Sequence, residues 1–72
     1  MKLNYFAETD SLYIDLSKKP SVESREVSEG VVLDFDAAGS LVGIDIDNAS
    51  KNVDLQTLIL SRIPGKVETI AA

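Results

Sequence analysis

The chain contains no cysteine, no histidine and no tryptophan, and it carries seven basic residues against twelve acidic ones. Each gap removes a class of chemistry. Without cysteine there is no disulfide to staple a small fold and no thiolate to hold a metal or attack a substrate. Without histidine, imidazole acid/base work and the common zinc and iron ligand sets are gone. No apolar run approaches the roughly 20 residues of a membrane-spanning helix. The opening MKLNYFAETD lacks the continuous apolar stretch of a secretory leader, so the expected compartment is the cytoplasm and no membrane partner is expected.

Seventy-two residues allow one domain. A chain this short buries only about 60% of the surface its unfolded form exposes. Such chains rely on a disulfide, a metal, a tightly packed core or a partner subunit. With the thiolate and imidazole routes absent, self-association as a homodimer is the expectation. Charge is uneven. Residues 1–47 hold four basic side chains and ten carboxylates, a net of −6, whereas residues 48–72 hold three and two, a net of +1. Nucleic-acid binding needs clustered Lys and Arg, so that partner class is disfavoured, while a small basic protein is permitted.

Five segments read as strands. Lys2–Phe6 is short, with Leu3 and Tyr5 on one face. Ser11–Leu16 alternates Leu12, Ile14 and Leu16 against Tyr13 and Asp15, the period-2 pattern of a half-buried strand. Ala7–Asp10 between them suits a hairpin turn. Pro20 interrupts the ladder pattern. Val22–Ser28 then reads as an edge strand with a bulge, since Val22 and Val27 have opposite parity, and its charges discourage edge-to-edge pairing. After the Glu29-Gly30 turn, Val31–Asp36 sets Val31, Leu33 and Phe35 against Val32, Asp34 and Asp36. Gly39 supplies the positive φ that the next turn demands. Leu41–Asp47 sets Val42, Ile44 and Ile46 against Leu41, Gly43 and Asp45.

The last third is open between two readings. In one, Asp54 caps a helix through Leu55, Leu58, Ile59 and Arg62 that stops at Pro64-Gly65. In the other, LILSRI and KVETI form a hairpin about a Pro-Gly turn. The helix is preferred, because an apolar sheet face needs a cover. The expected fold is therefore α+β, an antiparallel β-meander of about five strands (1–47) with a C-terminal helix packed on one face (48–72). The expected core is Leu3, Tyr5, Leu12, Ile14, Leu16, Val31, Leu33, Phe35, Val42, Ile44 and Ile46.

The carboxylates invite chemical readings. Set on a helix-loop-helix calcium pattern, Asp34, Asp36, Gly39 and Asp45 fall at positions 1, 3, 6 and 12. The pattern breaks at Ala38, and strands rather than helices flank the loop. A glycosidase-like carboxylate pair needs a pocket that so small a sheet hardly provides. The eight serines lack a base, and no Ser-x-x-Lys occurs. The simplest reading is that aspartates solvate an outer sheet face. No enzyme and no cofactor are expected. The expected interaction face is Tyr13, Val32, Leu41, Asp34, Asp36 and Asp45.

One further pattern spans these strands. Tyr5, Glu8, Asp10, Leu12-Tyr13-Ile14, then Val27, Gly30-Val31, Leu33-Asp34 and Asp36, then Gly39, Leu41-Val42-Gly43-Ile44, then Ala49-Ser50 follow one another in order. The order Y-x-x-E-x-D-x-L-Y-I, V-x-x-G-V-x-L-D-x-D, G-x-L-V-G-I and A-S resembles a family of small prokaryotic proteins known as a domain of unknown function. The resemblance covers residues 2–51, with Asp45 where the family usually has Glu. It implies a small α+β domain with no assigned activity, whose members are suspected of being the antitoxin half of a pair. Together these features suggest a non-enzymatic interaction module. The alternatives are a structural or regulatory homo-oligomer, or a small-ligand or cation-binding protein.

Overall fold

The computed structural model describes residues 1–52 and 68–71. Five strands follow the alternating segments closely: β1 (Lys2–Phe6), β2 (Ser11–Asp15), β3 (Glu23–Ser28), β4 (Val31–Phe35) and β5 (Leu41–Ile46). One helical turn, α1 (Ala49–Asn52), comes next, and β6 (Glu68–Ala71) follows later in the chain. The preferred helix from Asp54 to Arg62, and the rival hairpin, lie outside the described residues apart from the end of KVETI, which is the strand β6.

The sheet order is β3-β4-β5-β2-β1-β6. The first five strands are antiparallel, as the alternation implied. They are not one continuous meander, however. β1-β2 is a hairpin, β3-β4-β5 is a second antiparallel unit, and β2 joins β5 rather than β3. Residues 16–22, which include Pro20, belong to no strand and leave β2 and β3 separated by a long link, so the two need not pair. The greasy strand β5 fills that place instead, matching Ile46 to Leu12 and Ile44 to Ile14. β6 runs parallel to β1, the one parallel pairing among the described strands.

Register sorts the faces. Leu3 lies opposite Ile14, Tyr5 opposite Leu12, Val31 opposite Ile46 and Leu33 opposite Ile44. These side chains share one face, because directly paired residues in an antiparallel sheet point the same way. The tightest packing sits at the β1-β2-β5 end. There Leu3, Leu12 and Ala49 are buried, with Tyr5, Ile14 and Ile46 against them. Burying these aliphatic groups contributes about 25 cal/mol per Å² removed from water. Ala49 is fully buried, although nothing in the periodicity marks it. Leu16, expected in the core, is 36% exposed. It falls just past the end of β2, where its amide bonds the Val42 carbonyl and its side chain is no longer held over the sheet.

Candidate functional site

The opposite face is built around Tyr13. On β2 it lies beside Asp45 of β5, and Asp45 in turn pairs with Val32 of β4. One step along, Asp15, Gly43 and Asp34 form the next row. The phenol of Tyr13 reaches diagonally across Gly43 and donates to Asp34 Oδ2 at 3.1 Å. Asp34 Oδ1 accepts from the Ser24 hydroxyl of β3 at 2.6 Å. A chain of hydrogen bonds thus ties β2, β4 and β3 together over the surface of β5.

Gly43 makes this crossing feasible. A Cβ there would lie 2.5 Å from Cζ of Tyr13 and closer still to its hydroxyl oxygen. A glycine inside a strand pattern often marks such a close approach, and here it marks where the ring lies on the backbone.

The electrostatics follow from burial among like charges. Burial comes first in pushing the Tyr13 phenol up to about 12, followed by the hydrogen bond to Asp34 and the charges of Asp34, Asp15 and Asp45. Asp45 is also pushed up from the ordinary carboxylate range, by burial first and then by Asp47 and Asp34. A phenol held this far above neutrality is a poor proton donor or nucleophile at pH 7. The groups chiefly satisfy one another.

Of the six residues expected to share an interaction face, Tyr13, Val32, Asp34 and Asp45 are brought together. Asp36 and Leu41 are not. Asp36 was expected to be solvated on the outer face beside Asp34, but it is buried, at 6% exposure. Its Oδ1 accepts from the amides of Ala38 (3.0 Å) and Ser40 (2.9 Å), and its backbone closes the turn with Ser40 and Gly39. Aspartate favours this role because its short carboxylate reaches the amide two residues on. The turn therefore draws Asp36 away from Asp34. Leu41 is paired with Phe35 past a register shift. It lies four residues along β5 from Asp45, about 13 Å at strand spacing, so it does not join Val32 and Tyr13. Among the described residues no group of His, Cys, Asp or Glu is arranged to hold a metal ion.

A second polar centre closes the other end of the sheet. Asp10 adopts φ 52°, and its carboxylate accepts from the Tyr5 hydroxyl (2.7 Å), the Ser50 amide (3.0 Å) and the Ser50 hydroxyl (2.7 Å). Its carbonyl accepts from the Ala49 amide at 2.8 Å. The hydrogen bond from Ser50, then that from Tyr5, holds the Asp10 carboxyl below its ordinary range. Sequence reasoning placed Asp10 only in a turn. The sign that it does more is the Ala49-Ser50 pair far along the chain, whose amides need an acceptor at the start of α1.

Gly30 and Gly39 take φ 76° and 83° at the two tight turns, and the Asp47 amide returns to the Gly30 carbonyl at 2.7 Å. A small antiparallel sheet whose signature side chains chiefly brace its own strands is the class of protein defined by this arrangement. The chain belongs to the DUF2283 family, described as a protein of unknown function, whose pattern matches residues 2–50. It is also similar to "Uncharacterized protein MJ0789" of Methanocaldococcus jannaschii, at 36% identity over 73 residues. That match covers 93% of this chain and 62% of the archaeal protein, so the chain spans about three fifths of that relative's length. No solved structure matches. Among the described residues no helix is long and apolar enough to cross a membrane.

Proposed function

We propose that this chain is a non-enzymatic protein–protein interaction module that associates with itself through its sheet. The observation that carries this reading is strand β3. Every one of its residues is exposed, its inner side pairs with β4, and among the described residues nothing pairs with its outer side. Val27 within it and Val22 just before it stand 57% and 64% exposed. An unpaired strand edge is a template for another strand. The Tyr13–Asp34–Ser24 chain and the Asp10–Ser50 corner, by contrast, already have their partners inside the molecule. Sedimentation velocity across a wide concentration range tests the proposal. A dimer at micromolar concentration is expected, and a strict monomer at the highest attainable concentration would remove it.

A specific observation also favours a second partner. Burial comes first in raising Tyr13 and Asp45, and like charges add to it: Asp34, Asp15 and Asp45 at Tyr13, and Asp47 and Asp34 at Asp45, so the face carries a shared negative field. Such a field steers and holds a basic surface. This would suit a small basic protein encoded nearby, in the antitoxin manner that the family resemblance implies. Co-purification with the product of the adjacent gene is the expected result. A neighbour that is not a small basic protein, or that fails to co-elute, excludes this reading.

A further inference from the structure

The charges on β3 do more than blunt an edge. Arg25 and Glu23 lie two residues apart on the same face of the strand, within 3.6 Å of each other and largely exposed. Arg25 also caps the Phe35 ring at 4.4 Å, which holds its guanidinium over this face. The backbone orientation of β3 follows from the neighbouring ladder. The Asp47 amide bonds Gly30, so Val32 and Asp34 turn their peptide groups toward β5, and Val31, Leu33 and Phe35 turn theirs toward β3. Arg25 faces Leu33 and Glu23 faces Phe35, so these two bond inward. Ser24 and Glu26 are left with amide and carbonyl pointing out from the sheet.

From this geometry we infer that two copies of the chain join β3 to β3 antiparallel about a two-fold axis at Ser24, with Glu23 of each copy opposite Arg25 of the other. The inference rests on the self-association proposed above and specifies its surface and register. A two-fold axis normal to the sheet keeps each face continuous, so it must pass through a residue pair of the same kind. Four centres lie on the regular stretch Glu23–Glu26, ahead of the register shift at Glu26/Ser28. Centring on Glu23, Arg25 or Glu26 sets like charge against like charge. Centring on Ser24 sets a small neutral residue against itself and unlike charges together twice. The Ser24 amide of each copy then donates to the Ser24 carbonyl of the other. The Glu23 and Arg25 pairs occupy the flanking non-hydrogen-bonded sites, where side chains approach most closely. The strand's charges thus reject most registers and admit one, which is how a short edge can be specific.

The test is a charge swap read by sedimentation velocity, with circular dichroism to verify folding. Arg25→Glu and Glu23→Arg, singly, each place like charges in both flanking pairs and are expected to weaken dimerisation by about tenfold or more. The double variant Glu23→Arg with Arg25→Glu restores unlike pairs in the same register and is expected to regain wild-type association. Ser24→Pro removes the outward amide and the hydroxyl bond to Asp34 while leaving the backbone bonds of β3 to β4, and a folded monomer is expected; Ser24→Ala, which loses only the hydroxyl bond, is expected to remain dimeric. A wild-type dimer that survives Ser24→Pro, or a double variant that stays as weak as the singles, overturns this surface while leaving self-association intact. A monomeric wild type overturns both.

Discussion

Replacing Gly43 by alanine tests the account of the Tyr13 face directly. The added Cβ would sit 2.5 Å from Cζ and 3.2 Å from Cε1 of Tyr13, where carbon atoms prefer about 3.5–4.0 Å. The ring must swing away, and its hydroxyl then leaves Asp34. A hydrogen bond to a charged group contributes about 1.5–3 kcal/mol. Alanine recovers about 0.5–1 kcal/mol over glycine within a strand. The net expectation is a loss of about 1–2 kcal/mol. Against a total of roughly 4–11 kcal/mol for a chain of this length, that is a melting temperature lower by about 5–15 °C. Ultraviolet titration gives a second readout, because a displaced Tyr13 should ionise closer to pH 10 than to about 12. In a Tyr13→Ala background the three atoms that crowd the new methyl are gone, and the same Gly43→Ala change should stabilise by about 0.5–1 kcal/mol. Equal effects in the two backgrounds, or a Gly43→Ala variant as stable as wild type, would refute the reasoning.

Gly39→Ala has open space for its Cβ but φ 83°, so it should cost about 1 kcal/mol in urea denaturation through backbone strain alone, with Gly39→Asn recovering much of it. Asp36→Ala leaves the turn amides of Ala38 and Ser40 without their carboxylate acceptor and should cost about 1–3 kcal/mol, whereas Asp36→Asn keeps an acceptor oxygen and should cost less; equal losses would contradict the turn-capping role. Asp10 and Asp45 should tilt the acid limb of the stability curve in opposite directions. Asp10 has a depressed pKa in the fold, so its contribution is present above about pH 4 and lost as pH falls through the folded value, and Asp10→Asn should make the acid loss shallower. Asp45 has a raised pKa, so its protonation favours the fold as pH falls through the folded value toward about 4, and Asp45→Asn should make the acid loss steeper. Chemical denaturation at stepped pH measures both slopes, and parallel acid limbs for the two variants would contradict the assignment.

The alternation of Leu12, Ile14, Val31, Leu33, Ile44 and Ile46 was enough to place five strands and their inner face. Periodicity reports which face a residue takes but not which strand lies beside it. The insertion of β5 between β2 and β4 was therefore invisible, because it depends on Leu12 meeting Ile46 across more than thirty residues. Turn chemistry competed with alternation at Asp36: parity put it outside, and two amides of its own turn drew it in. Tyr13 and Asp34 were both placed on the outer face, yet their bond needed a register that only the β2–β5 and β4–β5 pairings supply. The clue in the sequence was Gly43, a small residue in the middle of a strand of larger ones. Ala49 was missed because one short helical turn carries no period to read.

The residues that make this chain resemble its family also say where its function should be sought. Tyr5 and Asp10 hold Ser50; Asp34 holds Tyr13 over Gly43; Asp36 and Gly39 build one turn and Gly30 the other. Tyr13–Asp34 and Asp10–Ser50 join elements distant in sequence, and the turn residues fix how consecutive strands meet. In a 72-residue chain without disulfides, such bonds pin register where a small core cannot do so alone. A pattern composed of register pins identifies a fold and is indifferent to what the fold binds. Binding specificity then falls to positions the pattern leaves free. Among the described residues the outermost strand is such a place: Glu23, Ser24 and Arg25 lie before the Val27–Asp36 part of the pattern, and their side chains are exposed. Exchanging this tripeptide between two members of the family should exchange their association behaviour and leave the fold unchanged. If association instead follows Tyr13, Asp34 and Asp45, the outer face, and not the edge, is the working surface.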